Sequence, residues 1–266
     1  MARGGIPALM QEVSYCIDGT GGPWVTFVTG IANDYSMWNG QVPALIRDFR
    51  VLRYDLRGQG GTPAGEREVT IQSLVTDLVA LWDALGIASS HLVGLGLEGA
   101  IAQAAAIDHP GRVDRLVPCC CRAQMVPDFA ALWHQLIATV KAQGIEPIVE
   151  PTIERWFPEP FRAANPALMD AVRRMIRRTS VQGYLGCAAA FLGLALEDRL
   201  PLIKARTLYL SGADDHRGGP SQLMAGLAAK VPGARHAAIP EAAHIANIQN
   251  PDGFNRVLVD FLSRGK

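Results

Sequence analysis

The chain has 266 residues and no formal net charge, and it is 49% hydrophobic and 19% charged. That length permits one large domain or two small ones, with ample apolar material for a core. The balanced charge excludes the cationic surface that a nucleic-acid or acidic-membrane partner requires.

The N-terminal stretch MARGGIPALMQEV has no sustained apolar run after its Arg, so no signal peptide is read there. No segment approaches the roughly 18 uninterrupted apolar residues of a membrane span. The cysteines are Cys16, Cys119, Cys120, Cys121 and Cys187. Their odd number and consecutive run give no disulfide framework, and their spacing matches no zinc motif. A cytoplasmic, reducing setting is expected, with no metal and no cofactor.

Taken in chain order, WVTFVTG (24–30) is a short β-branched run that predicts a buried strand. RVLRYDLRGQGGT (50–62) predicts a second strand followed by a Gly-rich turn. Over 71–85, Ile71, Leu74, Val75, Leu78, Trp82 and Leu85 recur at helical spacing, and Gly86 ends that helix. HLVGL (91–95) is the next strand, IAQAAAIDHP a helix stopping before Pro110, and RLVPCC (115–120) a strand again. Alternation of this kind implies right-handed crossovers and a mostly parallel sheet with helices on both faces.

From about 123 to 200 the pattern turns helical. PDFAALWHQLIATVKAQG (127–144), PALMDAVRRMIRRTS (166–180) and VQGYLGCAAAFLGLAL read as helices around a Pro-punctuated piece. Arg173, Arg174, Arg177 and Arg178 fall on one face of the second of these and are read as solvated. Strands resume at RTLYLSGADD (206–215) and ARHAAIPEAAH (234–244), and GFNRVLVDFLSR closes the chain as a helix. The domain division is a core of 1–122 and 201–266, with a helical lid at 123–200.

The stretch GLGLEG carries the chemical question. Gly94, Gly96 and Gly99 satisfy the bare spacing of a dinucleotide-binding loop. Context opposes that reading: this is not the first strand–helix unit, and the positions some 20 residues on hold Cys119–Cys121 rather than an acid.

The motifs TFVTGIANDYSMW, FRVLRYDLRGQGGT, GLGLEG, SGADDHRGGP and PEAAHIANIQNPDGFN resemble the α/β-hydrolase superfamily, in its order and over nearly the whole chain. The segment ERWFPEPF and its surroundings are similar to 3-oxoadipate enol-lactonases in particular. The resemblance implies an α/β-hydrolase fold and lays GLGLEG on the G-x-S-x-G nucleophile elbow. Gly96 then stands where the serine would be and Glu98 where the second glycine would be. Asp215 falls at the triad acid and His244 at the triad base. The backbone N–H groups of Ile31 and Leu97 fall at the oxyanion hole.

The nucleophile position is therefore vacant by this alignment. Glycine there relieves the strained backbone an elbow imposes. Glu98 has two readings. Its carboxylate can simply be favoured by the dipole at the start of the next helix, or it can curl toward the vacated space and act as an acid. Cys119–Cys121, at the carboxyl end of a strand, are most simply buried small hydrophobes. Trp38, Trp133, Trp156 and Phe157 are read as pocket walls. One Arg among 122, 155, 162 or 173–178 can reach inward to clamp a carboxylate.

Three readings follow. The first is an enzyme acting on a small lactone or keto acid through a His244–Asp215 base without a covalent intermediate, by hydrolase or lyase/isomerase chemistry. The second is a non-catalytic binding protein on a hydrolase frame. The third is a hydrolase whose nucleophile has moved to Glu98 or a Cys. The expected partner is a small-molecule substrate, with self-association left open.

Overall fold

The computed structural model describes residues 12–263; residues 1–11, most of the stretch read for a leader, lie outside them. A seven-stranded sheet organises the chain in the order β1-β3-β2-β4-β5-β6-β7. Its strands are β1 (Tyr15–Asp18), β2 (Trp24–Val28), β3 (Arg50–Tyr54), β4 (Ser90–Leu95), β5 (Val113–Cys119), β6 (Arg206–Gly212) and β7 (Arg235–Ile239). All neighbours pair in parallel except β1, which runs antiparallel to β3. The fold is that of the α/β hydrolases, as the motifs imply.

β1 was not legible in the sequence. It is four residues long at the sheet edge, and Tyr15 and Ile17 stay exposed, so it carries no buried apolar run. β4, by contrast, is the central strand and is buried at all six positions, which is what an apolar run covered on both faces produces.

Two apolar layers cover the sheet. On one face α2 (Ile71–Ala84) buries Leu74, Val75, Leu78, Leu81 and Trp82, the stripe its 3.6-residue spacing anticipates. Its start is fixed by a reciprocal cap in which Thr70 and Ser73 each accept from the other's backbone N–H. Beside it α3 (Leu97–Asp108) is buried at eleven positions from Leu97 to Ile107. Its alanines let it lie close to β4 and β5, so it shows no polar face. On the opposite side α11 (Pro251–Ser263) buries Phe254, Leu258, Phe261 and Leu262. Trp38, expected at the pocket, belongs to this layer. Its ring lies 4.6 Å from that of Phe27 and 6.2 Å from that of Phe254, and its Nε1–H donates to the Val28 carbonyl at 3.1 Å. With its polar atom satisfied by backbone, it is core and not a pocket wall.

Between β5 and β6 stand α4 (Pro127–Gln143), α5 (Val149–Trp156), α6 (Glu159–Ala164), α7 (Pro166–Arg177) and α8 (Val181–Leu192). The arginines of α7 face outward: Arg173 pairs with Glu150 and Asp170, and Arg177 with Glu146. Phe157, also expected at the pocket, is buried and stacks on Phe161 with ring centroids 5.5 Å apart.

The inserted helices are tied to the loops beyond β2 and β3. Arg178 Nη1 reaches Asp34 Oδ2 at 3.0 Å. Gln59 Oε1 accepts from both the Ala32 N–H, at 3.0 Å, and the Thr179 hydroxyl, at 3.1 Å. Gly58 and Gly183 meet backbone to backbone, and the Ser180 N–H donates to the Gly58 carbonyl at 3.0 Å. Among the described residues no helix is long and apolar enough to cross a membrane.

A Cβ on Gly183 would overlap the Gly58 backbone. Alanine gains up to about 1 kcal/mol in helix propensity, but the overlap lies against backbone that cannot swing aside. Gly183→Ala is expected to cost about 1–3 kcal/mol net, read as a fall of several degrees in Tm.

Candidate active site

The carboxyl ends of β2, β4, β5 and β6 open onto one pocket, roofed by α4, α5 and α8. Its empty space is about 800 Å3, including the open mouth. Such a crevice at the carboxyl edge of a parallel sheet is the usual ligand position. It collects Ile31, Gly96, Leu97, Glu98 and His244 from the residues singled out in the sequence, with Trp133 and Trp156 from the expected walls. Arg122 and Arg155 also line it, whereas Arg162 turns to Glu154 at 3.8 Å.

Gly96 sits alone between β4 and α3, at φ +72° and ψ −126°. Its N–H donates to the Cys119 carbonyl at 2.9 Å, which pins the turn to β5. That backbone conformation is strained for any residue with a side chain.

Glu98 does not take the solvent-facing course open to a first-turn carboxylate. It is 2% exposed. Its side chain runs back across Gly30, where a Cβ would overlap the carboxyl group, and ends beside Gly96. A Cβ at position 96 would stand 3.2 Å from Glu98 Oε2 and 3.7 Å from His244 Nε2. The acid and the imidazole thus face one point, where the alignment would put a nucleophile.

Asn33 holds this arrangement. Its Oδ1 accepts from the Gly30 N–H at 2.8 Å, which leaves its Nδ2 to donate to Glu98 Oε1 at 3.1 Å. Burial raises the Glu98 carboxyl from 4.5 to about 7, against the lowering pull of its own backbone N–H, Asn33 and His244. Glu98 is therefore poised to hold or release a proton near neutrality.

His244 is oriented by Asp215, with Nδ1 3.0 Å from Asp215 Oδ2. Asp215 Oδ1 accepts from the N–H groups of Arg217 and Gly218 at 3.0 and 2.9 Å, and Oδ2 from that of Gly219 at 2.8 Å. Burial alone would raise this carboxyl, but the charge and hydrogen bond of His244 and these backbone donors outweigh it and hold it well below the usual carboxylate range. An ionised Asp215 keeps the proton on Nδ1 and turns the Nε2 lone pair toward Gly96.

The cysteine run lies underneath. Cys119, Cys120 and Cys121 are buried, and burial pushes all three thiols up, away from the reactive thiolate. The Cys120 sulfur lies within 4.8 Å of ligand atoms of Asp215 and His244. Both Asp215 oxygens are already engaged by backbone and imidazole, so that triplet does not offer a free donor set.

Sequence reasoning missed Asn33, Tyr184 and Arg217. Asn33 and Arg217 sit in loops at the carboxyl edge, which was the available signal. Nothing in the sequence marks which loop side chain turns inward.

Comparison with known proteins agrees with this fold. Residues 23–251 match the family described as alpha/beta hydrolase fold. The chain is 26% identical to 3-oxoadipate enol-lactonase 2 of Acinetobacter baylyi over 244 residues, 91% of this chain and 89% of that protein. It is also 26% identical to pyrrolizixenacetamide deacetylase of Xenorhabdus hominickii, with 94% of each chain covered. Among solved structures, the enol-lactonase from Burkholderia xenovorans LB400 superposes with a TM-score of 0.91 at 31% identity, covering 95% of this chain and 96% of that one. A hydrolase from Pseudomonas aeruginosa PA01 gives 0.89 at 32% identity, with 94% of both chains covered. On its sheet order, its site at the carboxyl edge and these matches, the chain belongs to the α/β-hydrolase fold family.

Proposed function

We propose that this protein is an enzyme acting on a small lactone or keto acid by acid–base chemistry, without a covalent intermediate. The observation that carries the reading is the convergence of Glu98 Oε2 and His244 Nε2 on the space beside Gly96. His244, held by Asp215, is the base. Glu98, buried and titrating near neutrality, is the acid.

For a lactone, His244 Nε2 takes a proton from water as the water oxygen attacks the ring carbonyl carbon. Asp215 stabilises the imidazolium that forms. Protonated Glu98 donates to the carbonyl oxygen as its charge develops, beside the amides of Ile31 and Leu97. A neutral carboxylic acid can do this where a carboxylate would repel the charge. The tetrahedral centre then collapses: the ring C–O bond breaks, the imidazolium proton passes to the leaving oxygen, and Glu98 recovers its proton. An activated leaving group, such as an enol, makes the missing covalent step a small loss. The same pair serves a keto acid, with His244 removing a proton next to the carbonyl and Glu98 protonating the enolate oxygen. Similarity to enol-lactonases supports this substrate class.

Against a panel of enol-lactones and β-keto acids, His244→Ala is expected to lower kcat/KM by about 10²–10⁴-fold. Unchanged turnover would remove the base role. Activity of the natural chain should fall as pH rises through about 7, where Glu98 loses its proton, and Glu98→Gln should lack that limb.

The same titration reaches stability. Glu98 ionises near 4.5 in the unfolded chain and near 7 when folded. Between those values the folded state holds a proton that the unfolded state has released, so stability falls as pH rises. The natural chain should lose on the order of 3 kcal/mol relative to Glu98→Gln between pH 4 and pH 8, measured by denaturant titration at both.

Gly96→Ser alone is expected to yield no esterase, since Glu98 Oε2 lies 3.2 Å from where its Cβ would stand and crowds the hydroxyl. Combining it with Glu98→Gly clears the space. That double variant should form an acyl adduct at residue 96 with an activated ester, detectable by mass spectrometry.

A further inference from the structure

The pocket holds more positive charge than its own side chains balance. Arg122, Arg155 and Arg217 all line it, and among the described residues no ion pair joins any of them to a carboxylate. Arg155 Nη2 donates to the Thr152 hydroxyl at 2.7 Å. Arg122 lies 4.1 Å from the centre of the Phe129 ring, its Nη2 donates to the Arg217 carbonyl at 3.0 Å, and its Nε is buried without an acceptor. Burial lowers both Arg122 and Arg155, and the Arg217 charge lowers Arg155 further.

The surrounding wall is aromatic and also short of acceptors. Trp133 lies 5.2 Å from Phe191 and 6.3 Å from Tyr184, centroid to centroid, and its Nε1–H is buried without a partner. Glu98 is the only carboxyl among the residues that line the pocket; Asp215 is committed to His244, and Glu154, next to Arg155, faces Arg162 at 3.8 Å. Three guanidiniums against that one lining carboxyl leave two positive charges over even when Glu98 is ionised. Like charges gathered in a half-desolvated space repel, and a ligand of matching negative charge removes that cost.

We propose that the site takes a dianion: a small acid with an apolar, unsaturated body and two negative charges, held by Arg155 and Arg217 while the aromatic wall takes the body. The proposal rests on reading this pocket as the reaction site. Trp133 Nε1 and Arg122 Nε supply the donors for the remaining acceptor oxygens. This narrows the substrate from any lactone or keto acid to one carrying a second charged group. Two chemistries supply such a charge, a dicarboxylate and a phosphate monoester.

Calorimetric titration at low salt tests this without requiring turnover. Terephthalate, its monomethyl ester and phenyl phosphate are the probes: the first two share one body and differ by one charge. Terephthalate should bind about tenfold tighter than the half-ester, the worth of one charge-assisted contact. Arg155→Ala and Arg217→Ala should each shrink that ratio to within about threefold. Arg217 is exposed, so its variant keeps the test valid if Arg155→Ala fails to fold. Phenyl phosphate binding as tightly as terephthalate would support the dianion and identify the phosphate source. Equal affinity for diacid and half-ester, a ratio untouched by both variants, or no binding of any probe would overturn the proposal. Failure of the acid–base reading is a separate result: turnover unchanged in His244→Ala, with the dianion preference intact.

Discussion

A carboxyl group folded back between two glycines governs the rest of the site. Glu98 can lie where it does only because Gly30 leaves room for its carboxyl and Gly96 leaves room beside it. Each glycine answers a different demand. Gly30 yields space, while Gly96 also supplies the positive φ that joins β4 to α3. Once the acid is buried there, water no longer stabilises its charge. Its proton affinity rises, and the Asn33 amide, the backbone N–H and His244 must together partly compensate.

That burial sets Glu98 apart from Asp215, the other carboxyl of the site. Asp215 is equally hidden, yet it accepts three backbone N–H groups and faces an imidazole, so it stays ionised. Burial thus raises one carboxyl while a fuller set of donors lowers the other. In the proposed function, this asymmetry is what supplies an acid and an oriented base. The inserted helices bear on the same centre, because Gln59 and the Arg178–Asp34 pair bind them to the loop that carries Asn33.

Much of the frame was legible because burial on one side leaves a period in the sequence. α2 shows its stripe, and the inner strands show unbroken apolar runs. β1 left no trace, since an exposed edge strand of four residues obeys no apolar rule. α3 is the converse case. Buried on every side, it has no polar face for periodicity to find, and its assignment rests on its alanines and the stop before Pro110. Side-chain type misled at Trp38 and Phe157. A large aromatic satisfies a core and a pocket equally well, and only the neighbours decide. The arginines behaved alike: Arg173 and Arg177 of α7 found acids on the surface, while Arg155, two helices earlier, turned inward.

The sequence by itself determined the order of strands β2 to β7 and of the helices around them, by spacing along the chain. The resemblance it carries laid an elbow over Gly96 and marked Asp215 and His244, which are motif-borne. Tertiary structure alone decided the direction of Glu98. A first-turn glutamate is favoured by the helix dipole whether it faces solvent or folds inward, so its own surroundings in sequence carry no preference. The space over Gly30, the Asn33 amide and the imidazole of His244 come from segments up to 146 residues away. Only their meeting makes the inward course the stable one.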